Sequence, residues 1–181
     1  MHPFRRVARS LPALLLLMIT GWNYPTTAAV EPGVSAALAR HRASVISGLN
    51  YRFSLSIPRS PDEDISGTLR ITLDLAGAER ALQVDFREDS RRLLGATVNG
   101  HPADLEFRDE HILVPPRLLR AGSNTLDFRF LAGPTSLNRN PDFLYTLFVP
   151  DRARTALPLF DQPDLKATWD LSLAMPADWE A

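Results

Sequence analysis

Residues 67–75 read GTLRITLDL, and this stretch decides the fold. Leu69, Ile71, Leu73 and Leu75 fall on one side of an extended chain, while Thr68, Arg70, Thr72 and Asp74 fall on the other. A period of two is the pattern of a strand with one face in a core and the other in water. The same period runs upstream, where Tyr51, Phe53, Leu55 and Ile57 alternate with Arg52, Ser54 and Ser56 until Pro58 ends the run. Downstream, Leu82, Val84 and Phe86 alternate with Gln83 and Asp85 in residues 80–86. Residues 93–98 lead into Asn99-Gly100, two residues that accept the positive φ of a type I′ hairpin. Residues 104–107, 111–114 and 125–131 read as further short strands, the last entered from the tight turn Ala121-Gly122-Ser123-Asn124. With almost no helix between them, these strands predict an all-β domain over 51–181, an antiparallel curved sheet or sandwich.

One amphipathic helix is expected ahead of the strands, within a helical segment spanning 30–50. Val34, Leu38, Val45 and Leu49 share a stripe, Arg40, Arg42 and Ser44 lie away from it, and Gly48-Leu49-Asn50 supplies a stop. Residues 1–29 have the anatomy of a secretory signal peptide. Arg5, Arg6 and Arg9 precede the apolar run Leu11–Trp22, and Thr26-Thr27-Ala28-Ala29 provides small residues for cleavage. The mature chain is therefore expected to be periplasmic or secreted, with no stable membrane span after cleavage; an uncleaved anchor is the other reading of the same residues.

Composition removes several kinds of function. A net charge of -1 gives no basic excess for nucleic acid. The chain has no cysteine, so disulfides, thiolate metal sites and a cysteine nucleophile are absent. Its histidines are His2, His41, His101 and His111, none spaced as a helical metal pair, and the H-E-x-x-H zinc pattern does not occur. No catalytic, metal or cofactor residue is expected in this chain.

Residues 133–167 break the alternation. Gly133-Pro134 and 137–141 read as loop, and 143–149 is an apolar, aromatic run. Gln162-Pro163-Asp164-Leu165 is a β-turn with proline second, and Asp161 is placed to accept hydrogen bonds from that turn's amides. Arg152 and Arg154 are its expected ion partners. Ala167, Trp169, Leu171 and Leu173 then alternate with Thr168, Asp170 and Ser172 as a strand leaving the turn.

The run Phe148-Val149-Pro150-Asp151-Arg152-Ala153-Arg154, followed by Pro158-Leu159-Phe160-Asp161-Gln162-Pro163-Asp164-Leu165-Lys166-Ala167, resembles the A-R-x-x-F-P-C-F-D-x-P-x-x-K-A signature of aminopeptidase N relatives. Arg154, Pro158, Phe160, Asp161, Pro163, Lys166 and Ala167 carry the match as structural signature residues. Gly67–Ile71, Leu82–Phe86, Val98-Asn99-Gly100 and the L-x-x-G-x-N-x-L pattern from Leu119 appear in the family's order. The resemblance implies the N-terminal β-domain that precedes the catalytic domain of a zinc metallopeptidase, incomplete at its C-terminus relative to the family. It further implies that zinc and peptide substrate belong to the catalytic domain, which would be this domain's partner. Two departures stand out. Leu159 replaces the signature's cysteine, and Leu147 and Val149 occupy the positions where several members hold the substrate's amino terminus with glutamine and an acidic residue. That role does not transfer to them.

The G-A-M-E-N and H-E-x-x-H motifs of the family are absent, so the chain is expected to be inactive alone. An open sheet edge and an exposed apolar patch near Phe143–Phe148 and Phe160 are expected, with self-association as a consequence. The alternative class is a free-standing exported β-sandwich that binds a protein or glycan, with Trp169 and Trp179 as its aromatic resources. A third reading makes an enzyme from the carboxylates Asp161 with Asp164, or Glu106 with Asp109 and Glu110; charge in surface turns explains these groups better.

Overall fold

A computed structural model describes residues 29–181, so the expected signal peptide of residues 1–29 lies, apart from Ala29, outside the described residues. Helix α1 (Ala36–Val45) is followed by β1 (Ile46–Ser56), β2 (Ser66–Leu75), β3 (Leu82–Asp85), β4 (Leu93–Val98), β5 (His101–Ala103), β6 (Glu106–Arg108), β7 (His111–Val114) and β8 (Gly122–Leu131). The short pair β9 (Leu137–Arg139) and β10 (Leu144–Thr146) comes next, and β11 (Thr168–Ala174) closes the series. A six-stranded sheet has the order β11-β1-β2-β8-β4-β5, a three-stranded sheet the order β3-β7-β6, and β9 and β10 form a separate hairpin. The fold is all-β with one helix, as the alternation predicts.

The core lies where one face of the large sheet meets the small one. Tyr51, Phe53, Leu69, Ile71, Phe128 and Phe130 come from the large sheet, and Leu82, Val84, Ile112 and Val114 from the small. All four residues of β3 and all four of β7 are buried, so these two strands are covered on both faces, whereas β6 at the edge is largely exposed. That burial overturns the expected outward face for Gln83 and Asp85.

Four further expectations are corrected. The helix ends at Val45, four residues early, because Ile46 already has extended backbone (φ -100, ψ 132) and starts the first strand. Gly48 (φ +60) is not a helix stop; it sits at a bulge within β1, where the register to β2 shifts between Ser47 and Asn50. On α1 the buried residues are Leu38 and Arg42, four apart, so Arg42 points inward rather than to solvent. Finally, β11 pairs with β1 in parallel, the exception in an otherwise antiparallel structure. Parallel pairing needs a long connection, and residues 57–167, which hold all the intervening strands, provide it.

The turns account for the matched motifs. Asn99 (φ 52) and Gly100 (φ 83) form the expected I′ hairpin between β4 and β5. In the L-x-x-G-x-N-x-L pattern, Gly122 takes a positive φ of 81 and Asn124 is fully buried. The Asn124 amide donates to the carbonyls of Arg120 (2.7 Å) and Gly122 (2.8 Å). Its oxygen accepts from the Arg120 amide (3.0 Å) and from Asn99 Nδ2 (3.1 Å). Asn124→Ala is expected to cost about 1–3 kcal/mol in chemical denaturation, because it removes a buried side chain's hydrogen bonds to the turn and to Asn99.

Candidate functional site

Asp85, at the end of β3, organises the signature segment. Its carboxylate accepts from Arg42 Nη1 (2.9 Å) and from Arg42 Nη2, and lies 2.9 Å from His111 Nδ1. It also accepts from the backbone N–H of Asp161 (2.8 Å). Arg42 Nη2 donates further to the Gln83 carbonyl (2.7 Å), and the guanidinium lies 5.1 Å from the centre of the Phe160 ring. His111 Nε2 meets the carbonyls of Glu31 (3.0 Å) and Gly33 (3.1 Å). The side chains of Arg42, Asp85 and His111 are essentially inaccessible, at 1% or less. Burial alone would oppose ionisation of Asp85. The Arg42 charge, the hydrogen bonds from His111 and Arg42 and the Asp161 amide outweigh it and hold the carboxyl below the ordinary range.

One cluster thus ties together α1, the small sheet and the segment that carries the family resemblance. The backbones of Asp85 and Leu159 add a pair of reciprocal hydrogen bonds, 2.8 and 3.0 Å. On the large sheet, the Tyr51 phenol oxygen accepts from the Phe160 amide at 3.0 Å, and burial pushes the phenol's ionisation well up. Gln162 Nε2 donates to the Ala39 carbonyl (2.9 Å), closing the segment onto the helix.

The signature residues divide into two sets. Arg154, Pro158 and Phe160 are buried; Asp161 and Ala167 are half-buried; Pro163 and Lys166 are exposed. The expected β-turn forms, with the Leu165 amide donating to the Gln162 carbonyl (3.2 Å). Asp161 plays a different part from the one expected: its carboxylate accepts from the backbone amide of Arg154 (3.1 Å), and burial pushes its carboxyl up. The Arg154 guanidinium instead binds Asp151 (2.9 and 3.0 Å) and Glu110, while Arg152 donates to the Thr135 carbonyl (3.0 Å). Glu110 is also paired with Arg87 (3.1 Å) and Glu106 with Arg108 (3.4 Å). These acids are engaged in ion pairs, which favours the structural reading over a catalytic one.

Beside the signature lies a cleft of about 480 Å³ whose walls include Tyr51, Phe148, Leu159, Phe160, Leu165 and Trp169. Val149, at its rim, is 76% exposed, and Phe143, Tyr145 and Leu147 on the neighbouring run are about half exposed. Phe143 and Tyr145 stack on each other, centroids 6.0 Å apart. The expected apolar patch is therefore present at 143–149 but excludes Phe160, which packs under Arg42. Sequence reasoning missed Arg42, Asp85 and His111, since each reads as an ordinary polar position of its helix or strand.

Zinc does not fit these residues. Among the described residues, no group of three histidine, cysteine or acidic side chains could hold a metal. The buried His111 already has both ring nitrogens against Asp85 and backbone carbonyls.

No protein-family model and no curated protein matches the chain. Solved structures do. The M1 zinc metallopeptidase of Deinococcus radiodurans superposes with a TM-score of 0.62 over 74% of this chain and 33% of its own, at 21% identity. The fold is that of the N-terminal β-domain of the M1 zinc metallopeptidases. The LTA4 hydrolase of yeast gives 0.63 over 74% of this chain and 23% of its own, at 20% identity. A form of the Deinococcus enzyme bound to the peptide Tyr-Ser-Ala gives 0.62 with the same coverage as the first. The chain thus spans about a third or less of the length of these peptidases, and the likeness is one of fold.

Proposed function

We propose that this chain is the non-catalytic N-terminal domain of an exported zinc aminopeptidase, and that it acts by packing against the catalytic domain beside the active site. The observation that carries the reading is the signature segment, which is hydrogen-bonded around Asp85 in a chain with the M1 N-terminal fold. The exposed run 143–149 and the adjoining cleft supply an apolar docking face next to that segment. The catalytic domain would hold the zinc, and the peptide would bind only in the assembled enzyme.

The DNA beyond codon 181 tests this reading. It is expected to encode G-A-M-E-N and H-E-x-x-H, in frame or in an adjacent frame; neither motif there or in a neighbouring gene would overturn it. Where the catalytic polypeptide is found, Val149→Asp is expected to weaken its association with this domain by about 1–3 kcal/mol, read by calorimetry, because a charge would be desolvated at the interface.

A further inference from the structure

A second cavity, of about 400 Å³, lies where the end of α1 meets the connection from β2 to β3. No residue lines both this cavity and the cleft beside the signature segment. Its walls come from residues 41–119, at the Ile46 end of β1, whereas β11 leaves the sheet at the Ser56 end. The local chain explains its shape. The Ala76 amide donates to the Val45 carbonyl (2.9 Å) and so turns residues 76–81 across the last turn of the helix. Leu75 and Leu82, the residues on either side of this connection, are buried and form the apolar depth of the cavity with half-buried Leu119. Charge stands nearer the mouth, where Glu79 is exposed and Arg80 and His41 are half-buried. Among the described residues, neither Glu79 nor Arg80 has an ion partner or a side-chain hydrogen bond. The Glu79 carboxylate lies over Gly77, in the space that a Cβ there would take. His41 is kept neutral by burial first and then by the repelling charges of Arg80 and Arg42, which together lower its ionisation.

We propose that this cavity binds a free aliphatic α-amino acid, with its carboxylate on Arg80 and His41, its ammonium on Glu79 and its side chain against Leu75, Leu82 and Leu119. The guanidinium fork suits a carboxylate, and a neutral imidazole beside it adds one N–H donor. Glu79 disfavours a plain anion such as phosphate or a fatty acid, which it would repel, and Arg80 disfavours a plain amine in the same way. Two opposite charges on consecutive residues match a ligand whose ammonium and carboxylate share one carbon. A peptide carries those charges on separate residues. Size agrees: the cavity is toward the small end of the range of about 300–1,000 Å³ for ligand pockets, and its depth is apolar with a few polar groups at the mouth, as such pockets are built. The site follows from the unpaired charges over an apolar cavity and does not rest on the proposed zinc-peptidase role.

Calorimetric titration of the full chain with L-leucine tests the site. Saturable binding of one leucine per chain is expected, with a Kd below about 1 mM. N-acetyl-leucine lacks the ammonium and leucinamide lacks the carboxylate, so each should bind at least about tenfold more weakly to the unsubstituted chain. Arg80→Gln and Glu79→Gln, with unchanged circular dichroism, should each weaken leucine at least about tenfold as well. In nuclear magnetic resonance, leucine should raise the titration midpoint of His41, because a carboxylate beside the imidazole offsets the Arg80 charge. No saturation by about 10 mM leucine overturns the proposal. So does N-acetyl-leucine binding as tightly as leucine, which would mark a simple anion site, or leucinamide doing so, which would mark a cation site. Leucine affinity unchanged in both variants would place the ligand elsewhere and overturn it too.

Discussion

Replacing Asp85 with alanine is expected to destabilise the chain by about 3–5 kcal/mol, the range for removing one partner of a buried ion pair. The substitution strands the Arg42 guanidinium, which is 1% exposed, and leaves the Asp161 amide without its acceptor. Natural domains are stable by only about 5–15 kcal/mol, so much of the fold's margin would go. Urea denaturation followed by circular dichroism measures the change. The loss should be partly recovered in Arg42→Met/Asp85→Leu, because apolar replacement of a whole buried pair removes the stranded charge as well. A double substitution as unstable as Asp85→Ala would show that the pair's own attraction, and not the orphaned charge, sets the cost.

The same carboxylate sets an acid limb. Its folded-state ionisation is held below the ordinary carboxylate value, so the stability it contributes is fully present above that value and is lost as pH falls through the depressed one. Unfolding free energy should decline on acidification from about pH 5 downward, and Asp85→Ala should show a shallower decline. Asp161 works against this trend. Burial raises its ionisation, so its own contribution grows as pH falls through the raised value.

Phe130→Ala is the second large effect, about 3–5 kcal/mol for a fully buried phenylalanine. The ring meets Phe86 edge-on, centroids 6.1 Å apart, and so joins the large sheet to the segment after β3. On its other side it rests against Gly67, where an added Cβ would come within 2.5 Å of it. That glycine belongs to the stretch from which the fold was read, and its place there is explained by the ring it accommodates. A loss under about 1 kcal/mol would show that the two sheets do not pack through this ring.

The strands that sequence alone revealed best are those with one wet face. β2 and β8 show a strict period of two because their alternate residues meet solvent, and the structure reproduces that burial pattern. β3 and β7 are buried on both faces, so the polar Asp85 and His111 mimicked outward positions while facing a covered ion cluster. Arg42 was hidden in the same way: an arginine on an amphipathic helix reads as solvent-facing unless its partner, distant in sequence, is known. The start of β1 was obscured by Gly48, which serves a bulge as readily as a helix end. Strand direction for β11 depends on the path of residues 132–167 through space, and no local pattern encodes that path. The signature segment was legible as a turn, but Asp161 acts on the Arg154 amide, seven residues back, rather than on the turn it precedes.

The central claim is that this chain supplies a folded, non-catalytic β-domain to a zinc peptidase. The most direct measurement is metal content together with hydrolysis of an aminoacyl-arylamide by the purified chain in zinc-containing buffer. The account predicts a folded protein with no stoichiometric zinc and no amino acid released above the uncatalysed rate. Stoichiometric zinc with sustained turnover, abolished by a chelator, would contradict it.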